Sequence, residues 1–260
     1  MSISSTTTTN TDKNHCSLQL DQFIDSEPNK IRWPLMGIIL GCSQSGKTTL
    51  MSNILDHLDT VYSFSMSPSS KKTLVVISPQ TSIEMGETMK TAEEWEIIQY
   101  SSEDFSETLV SVLRSKFKAQ DSSLNILVID DTGILALQNK HMRSCLNNIY
   151  ASFRHLNVSV WSMLHTYHNV YRPMIENAGI IIIMFSATMV HDLRRVLSQT
   201  FFKGTAQIVR DLKTCLIDGM DMHDYIVVNK SKEALSGTQF YITNSIFNPK
   251  QGITIRQFLN

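Results

Sequence analysis

The segment Gly41-Cys42-Ser43-Gln44-Ser45-Gly46-Lys47-Thr48 fits G-x-x-x-x-G-K-[ST], a set of residue types suited to holding phosphate groups. Its glycines let the main chain curl so that successive amides point at phosphate oxygens. The helix that follows adds its positive end, and Lys47 supplies a mobile point charge. Thr48, with Thr49 beside it, stands where that helix begins, and the Thr48 hydroxyl is the expected ligand for Mg²⁺. At average residue frequencies the bare pattern arises by chance in about one chain in a hundred of this length.

Downstream, Leu124-Asn125-Ile126-Leu127-Val128-Ile129-Asp130-Asp131 reads as an apolar strand ending in two acids, the arrangement of a Walker B element. At such a tip Asp130 would hold Mg²⁺, and Asp131 would orient and deprotonate an attacking water. Read alone, the pair also suits a strand-to-turn cap; the phosphate loop upstream favours the metal and water chemistry. Two related patterns fail on residues present. Asp130-Asp131-Thr132-Gly133 fits the D-x-x-G of GTPases, but Asn229-Lys230-Ser231-Lys232 ends in a lysine where a guanine-reading acid is needed. Ser186-Ala187-Thr188 fits a helicase S-A-T, but neither D-E-x-D nor Q-x-x-G-R-x-x-R accompanies it.

These residues need elements to hold them. From about Ile31, short β-branched runs alternate with helical stretches, which predicts an α/β fold with a largely parallel sheet. The expected strands are Met36 to Leu40, Leu74 to Ser78, Ile126 to Asp130, Val158 to Leu164 and Ile180 to Phe185. Leu50, Ile54 and Leu58 place one apolar stripe on a helix over Lys47 to Leu58. Between Ser78 and Leu124 the polar, mixed sequence reads as a connection plus a crossover helix over Asp104 to Phe117. A further helix is expected over Val190 to Thr200, and edge strands or a terminal hairpin at Tyr225 to Val228 and Phe240 to Ile242. Residues 1–20 are expected to form a disordered Ser/Thr-rich tail, and 21–260 one domain, since no Pro/Gly-rich linker divides them.

Composition narrows the function classes. With 260 residues, 42% hydrophobic and 18% charged, the chain can bury a substantial core. The 23 Lys+Arg against 24 Asp+Glu remove the case for a polybasic nucleic-acid binder, though not for a local basic loop. The longest apolar run, Ile180 to Phe185, is far short of the roughly 20 residues a membrane span needs. Four scattered cysteines, Cys16, Cys42, Cys145 and Cys215, suggest neither a zinc site nor a disulfide framework, and point to a reducing compartment.

Taken in order, Gly41 to Thr49, Val76-Ile77-Ser78-Pro79, Ile126 to Asp131, Phe153 to Ser159 and Arg172 to Ala178 resemble the genome-packaging ATPases of the HerA/FtsK superfamily. The likeness is to those of poxviruses, other large DNA viruses, virophages and related transposon-like viruses, and it runs from about Ile31 to Asn229. It implies an additional-strand, RecA/FtsK-like P-loop NTPase, with the Val158 to Leu164 strand inserted between the phosphate-loop strand and the Walker B strand. It implies ATP and Mg²⁺ as cofactors and a ring homo-oligomer of five or six subunits. It implies double-stranded DNA as substrate, a capsid or portal protein as partner, no membrane role, and a place inside the host cell at the site of virion assembly or in the virion. In such rings a neighbour's arginine completes each site, and Arg154 and Arg172 are the two that fit. Where the family usually places a glutamine that senses the γ-phosphate, this chain has His165, which suits a sensor or a structural histidine equally. Asp131 stands where the wider superfamily often has Glu, and His191-Asp192 where an Arg-Asp pair is expected.

Arg194, Arg195 and Lys203 can be read as DNA contacts or as a solvated helix face. The leading expectation is thus an ATP-hydrolysing motor that moves duplex DNA into a capsid. A helicase-like remodelling ATPase and a catalytically silent ATP-binding assembly factor remain beside it.

Overall fold

A computed structural model describes residues 16–23, 34–63, 71–79, 95–118, 124–131, 139–165, 170, 172–200, 205–215, 217–230, 238–243 and 251–259. In chain order its elements are β1 (Cys16–Phe23), β2 (Met36–Leu40), α1 (Lys47–Ser63), β3 (Lys72–Ser78), β4 (Trp95–Ser101), α2 (Glu107–Lys118), β5 (Leu124–Asp130) and α3 (Lys140–Ser152). They continue with β6 (Val158–Leu164), α4 (Arg172–Asn177), β7 (Ile180–Met184), α5 (Met189–Thr200) and α6 (Thr205–Cys215). Three strands close the chain: β8 (Tyr225–Asn229), β9 (Thr238–Thr243) and β10 (Gln251–Leu259).

Where the sequence suggested one domain from residue 21, the chain divides into two compact units, Trp33–Ala178 and Met1–Arg32 with Gly179–Asn260. No linker marks the boundary at Ala178; each unit instead has its own mode of strand pairing. Of the expected tail, residues 1–15 lie outside the described residues, and Cys16 to Leu20 belong to β1, which pairs with β10.

The unit Trp33–Ala178 carries a parallel sheet in the order β2-β6-β5-β3-β4. Strands β2, β3 and β6 are buried along their whole length, and β5 up to Asp130, as strands covered on both faces should be. Strand β6 lies between β2 and β5, the insertion that the family resemblance implies. Its Trp161 pairs with Gly37 of β2, and a Cβ on Gly37 would stand 2.3 Å from the indole ring. Glycine is therefore what lets this fully buried ring lie across the neighbouring strand.

Strand β4 was not anticipated. It is a half-exposed strand paired with β3 at the end of the parallel order, and Glu96 and Gln99 interrupt its apolar run, so it lacks the signature of its buried neighbours. The crossover helix does form, as α2, one turn later than expected, after a 3₁₀ turn over Ser102–Asp104. Helix α1 buries Leu50 and Ile54; the Leu58 side chain is not among those described. Helix α3 buries Met142, Cys145, Leu146, Ile149 and Tyr150, one face at helical spacing.

The second unit is antiparallel throughout its described pairings, in the order β1-β10-β9-β8-β7. The two C-terminal strands pair as expected, but β8 is also bonded to β7 and β9 to β10, so neither is an edge. Helices α5 and α6 pack on each other in this unit. Among the described residues no helix is long and apolar enough to cross a membrane.

Candidate functional site

Three strand tips build the site, and β6 sets their register. Leu40 lies opposite Leu164, and the Gly41 amide continues the ladder by donating to Leu164 O at 3.0 Å. On the other side Asp130 lies opposite Met163, and the Asp131 amide donates to Met163 O at 3.0 Å. Two successive carbonyls of β6 thus fix where the phosphate loop leaves β2 and where the acids leave β5. The residue that follows β6 is His165, placed between them.

The loop curls through left-handed conformations at Gln44 (φ 62°) and Gly46 (φ 87°), and Ser45 N donates to Cys42 O at 3.3 Å. The first bond within α1 runs from Leu50 N to Gly46 O at 2.9 Å, so the amides of Lys47, Thr48 and Thr49 precede the helical ladder. Gly41 is buried, Ser45 to Thr48 are half-buried, and Cys42, Ser43, Gln44 and Thr49 are exposed. The Lys47 ammonium donates to Gly41 O at 2.7 Å and Cys42 O at 2.9 Å. Burial lowers its pKa from the ordinary lysine value, opposed by attraction to Asp130, Cys42 and Asp131.

Asp131 sits at φ 47°, a conformation that aspartate tolerates better than most residues. Its Oδ2 is 3.1 Å from His165 Nε2, and on the other side of the ring His165 Nδ1 lies 3.4 Å from Lys47 Nζ and 3.5 Å from Ser43 Oγ. An ammonium is only a donor, so the bond to Lys47 makes Nδ1 the acceptor and leaves Nε2 to donate its proton to Asp131. The imidazole thereby joins the phosphate-binding lysine to the second acid.

The residues present fit a nucleotide and its metal on three counts. The amides of Lys47, Thr48 and Thr49 lack intrahelical acceptors. Ser45 Oγ and Asp131 Oδ1 are buried without a hydrogen-bond partner. Lys47, for its part, is folded back on main-chain oxygens of its own loop. The structure thus brings together Gly41 to Thr49, Asp130, Asp131 and His165.

Neither arginine makes a hydrogen bond or ion pair with a described residue of this cluster. Arg154 is exposed in a 3₁₀ turn before β6, so a seven-residue strand, roughly 23 Å, separates it from His165. Arg172 is exposed at the start of α4 and donates to Glu176 at 2.7 Å. Arg194 is exposed and Arg195 half-buried on α5, while Lys203 lies outside the described residues. Sequence reasoning placed Ser43 in the phosphate loop but not beside His165, and it missed the two β6 carbonyls. Only the register of β6 against both neighbours reveals them.

A phosphate loop, a Walker B tip and a strand inserted between them define the class, an additional-strand P-loop ATPase fold. The family model described as "Poxvirus A32 protein" matches residues 28–232, and the chain belongs to that family. No curated protein sequence matches the chain significantly. Among solved structures it is similar to the genome-packaging NTPase B204 of Sulfolobus turreted icosahedral virus 2 in complex with ATPγS. That match has 11% identity and a TM-score of 0.54, and covers 83% of this chain and 100% of that one. It is similar too to B204, the DNA-packaging ATPase of Sulfolobus turreted icosahedral virus, at 10% identity and TM-score 0.55, with 82% and 98% covered. ATPases 2 and 3 of Thermomonospora curvata EccC, in complex with a signal sequence peptide, match at 15% identity and TM-score 0.52, covering 82% of this chain and 37% of that one. These likenesses establish the fold.

Proposed function

We propose that the chain is a viral DNA-packaging ATPase, which hydrolyses ATP to move double-stranded DNA into a capsid. The observation that carries this reading is the junction of Lys47, His165 and Asp131 at three adjoining strand tips, in a chain of the poxvirus A32 protein family. The B204 structures, a genome-packaging NTPase with ATPγS bound and a DNA-packaging ATPase, support it by their fold.

In this reading the loop amides from Cys42 to Thr49 and the Lys47 ammonium bind the nucleotide's phosphates. Thr48 and Asp130 hold Mg²⁺, which when bound offsets phosphate charge. Asp131 orients the attacking water and takes its proton. His165 holds the Asp131 carboxylate through Nε2. Subunits assemble as a ring of five or six, and Arg154 or Arg172 of a neighbour completes each site, an effect worth about 10³ to 10⁵ in rate in other NTPases. Both arginines are exposed, which is compatible with action in trans. The work is done inside the host cell where virions assemble, against a capsid or portal protein.

ATP turnover with and without long duplex DNA tests this, for the parent and for mixtures of Asp131→Asn subunits with Arg154→Ala or Arg172→Ala subunits. DNA-stimulated turnover, and partial rescue in one of the two mixtures, are expected. Nucleotide binding without turnover even on DNA would select the silent assembly factor instead, and absence of rescue in both mixtures would remove the arginine assignment.

A further inference from the structure

Of the 24 acidic residues in the chain, none falls between Thr132 and Ile175, a stretch of 44 residues where about four would be expected. The same stretch holds Lys140, Arg143, Arg154 and Arg172, with His141, His155, His165 and His168. Its longest described element is α3, whose inner face is spent on the core. The outer face shows Lys140, His141, Ser144, Asn147, Asn148 and Ala151 to solvent, and Arg154 and His155 continue it past the helix end.

Three features mark this face as made for an anion. Lys140, His141 and Arg143 crowd the first turn of α3, the end where the helix dipole disfavours cations, and no acid stands among them. Arg143 is half-buried, and its Nε is shielded from solvent without a hydrogen-bond partner. None of Lys140, His141, Arg143, Arg154 and His155 forms an ion pair with a described residue. The flanking helices do not neutralise the face. Helix α2 adds Arg114, which donates to Asn148 and Ser152, and one exposed acid, Glu107; the Glu176 of α4 is taken by Arg172.

We infer that the acid-free outer face of α3 contacts the phosphate backbone of duplex DNA. This rests on the DNA-packaging reading above and gives it a surface. The helix is about 20 Å long at 1.5 Å per residue, a length over which a duplex presents about twelve phosphate charges. Exposed asparagine and serine between the cations can donate to phosphate oxygens, as polar side chains do in backbone contacts. In the chain, α3 begins nine residues after Asp131.

The test is the salt dependence of duplex binding by the full chain, for the parent, Lys140→Gln, Lys140→Gln/Arg143→Gln, and a control pair on α6, Arg210→Gln/Lys213→Gln. Arg154 is left intact, since it is assigned to the neighbouring site. The slope of log affinity against log salt should fall by about 0.9 for each cation removed from a phosphate, so by about 1.8 in the α3 double variant. Its affinity should drop at least about tenfold near 0.15 M salt. ATP turnover without DNA should match the parent, which shows that the variant is folded, and the control pair should leave the slope unchanged. Equal slopes for the parent and both α3 variants, or an equal fall in the control pair, would overturn the assignment of this face alone. A parent chain that binds no duplex at all would overturn the packaging reading with it.

Discussion

Asp131 and His165 meet at 3.1 Å between Oδ2 and Nε2, each at the tip of a strand that pairs with the other's. The contact holds the acid from one side while its Oδ1 stays buried without a partner. His165→Ala should therefore lower turnover by about tenfold to a hundredfold, the usual cost of losing an orienting partner. His165→Gln, which keeps one donor, should retain most of it. ATP affinity measured by fluorescence titration should change less than turnover in both. An alanine variant as active as the glutamine one would remove His165 from the site.

Lys47 holds its charge in a half-buried place, and burial lowers its pKa from 10.5. Between the folded and unfolded values the unfolded chain binds more protons, so this group makes stability rise with pH there. Its cost is full below the folded value and gone above 10.5. Lys47→Met should accordingly melt higher than the parent at pH 7 without nucleotide, with a gap that closes as pH approaches 10.5, and should lose ATP turnover. A lower melting point at pH 7 would show that the bonds to Gly41 O and Cys42 O outweigh burial.

Gly37→Ala drives a methyl group into the Trp161 ring, with backbone on one side and a fully buried indole on the other. Overpacking of this kind costs about 1–3 kcal/mol or more. Because the same strand pair positions Gly41 and His165, turnover should fall together with the urea midpoint. A variant with parental stability and activity would mean that β6 does not lie as described.

Tyr150 is wholly buried and donates to Ser162 Oγ at 2.7 Å, linking α3 to β6. Tyr150→Phe should cost about 1–3 kcal/mol of stability, since Ser162 is left buried with one partner fewer. In the other unit, burial above all pushes the Tyr225 phenol up to about 12. A raised phenol contributes stability below pH 10 that is lost as pH climbs through that value, so Tyr225→Phe should flatten the alkaline limb of the stability curve between about pH 10 and 12. Unchanged alkaline unfolding in this variant would contradict the burial.

Much of the parallel unit was legible in the sequence because its central strands are buried on both faces and so read as unbroken apolar runs. Lys47, Asp130 and Asp131 were legible because their chemistry is tied to a loop and a strand tip. Strand β4 was not, since a half-exposed strand mixes Glu96 and Gln99 into its pattern. Nor was β1, whose partner β10 lies at the far end of the chain, so no local periodicity announces it. The sequence could name His165 but not its neighbours, because the contacts to Lys47 and Asp131 depend on which strands flank β6. Arg143 carries no motif; only its shielded guanidinium nitrogen and the missing acids around it single it out.

The most direct test compares the parent chain with Asp131→Asn, measuring ATP affinity and single-turnover hydrolysis in the same samples. The account predicts unchanged affinity and at least about a hundredfold slower hydrolysis, the effect of losing the group that accepts the water's proton. Hydrolysis at the parental rate would contradict it.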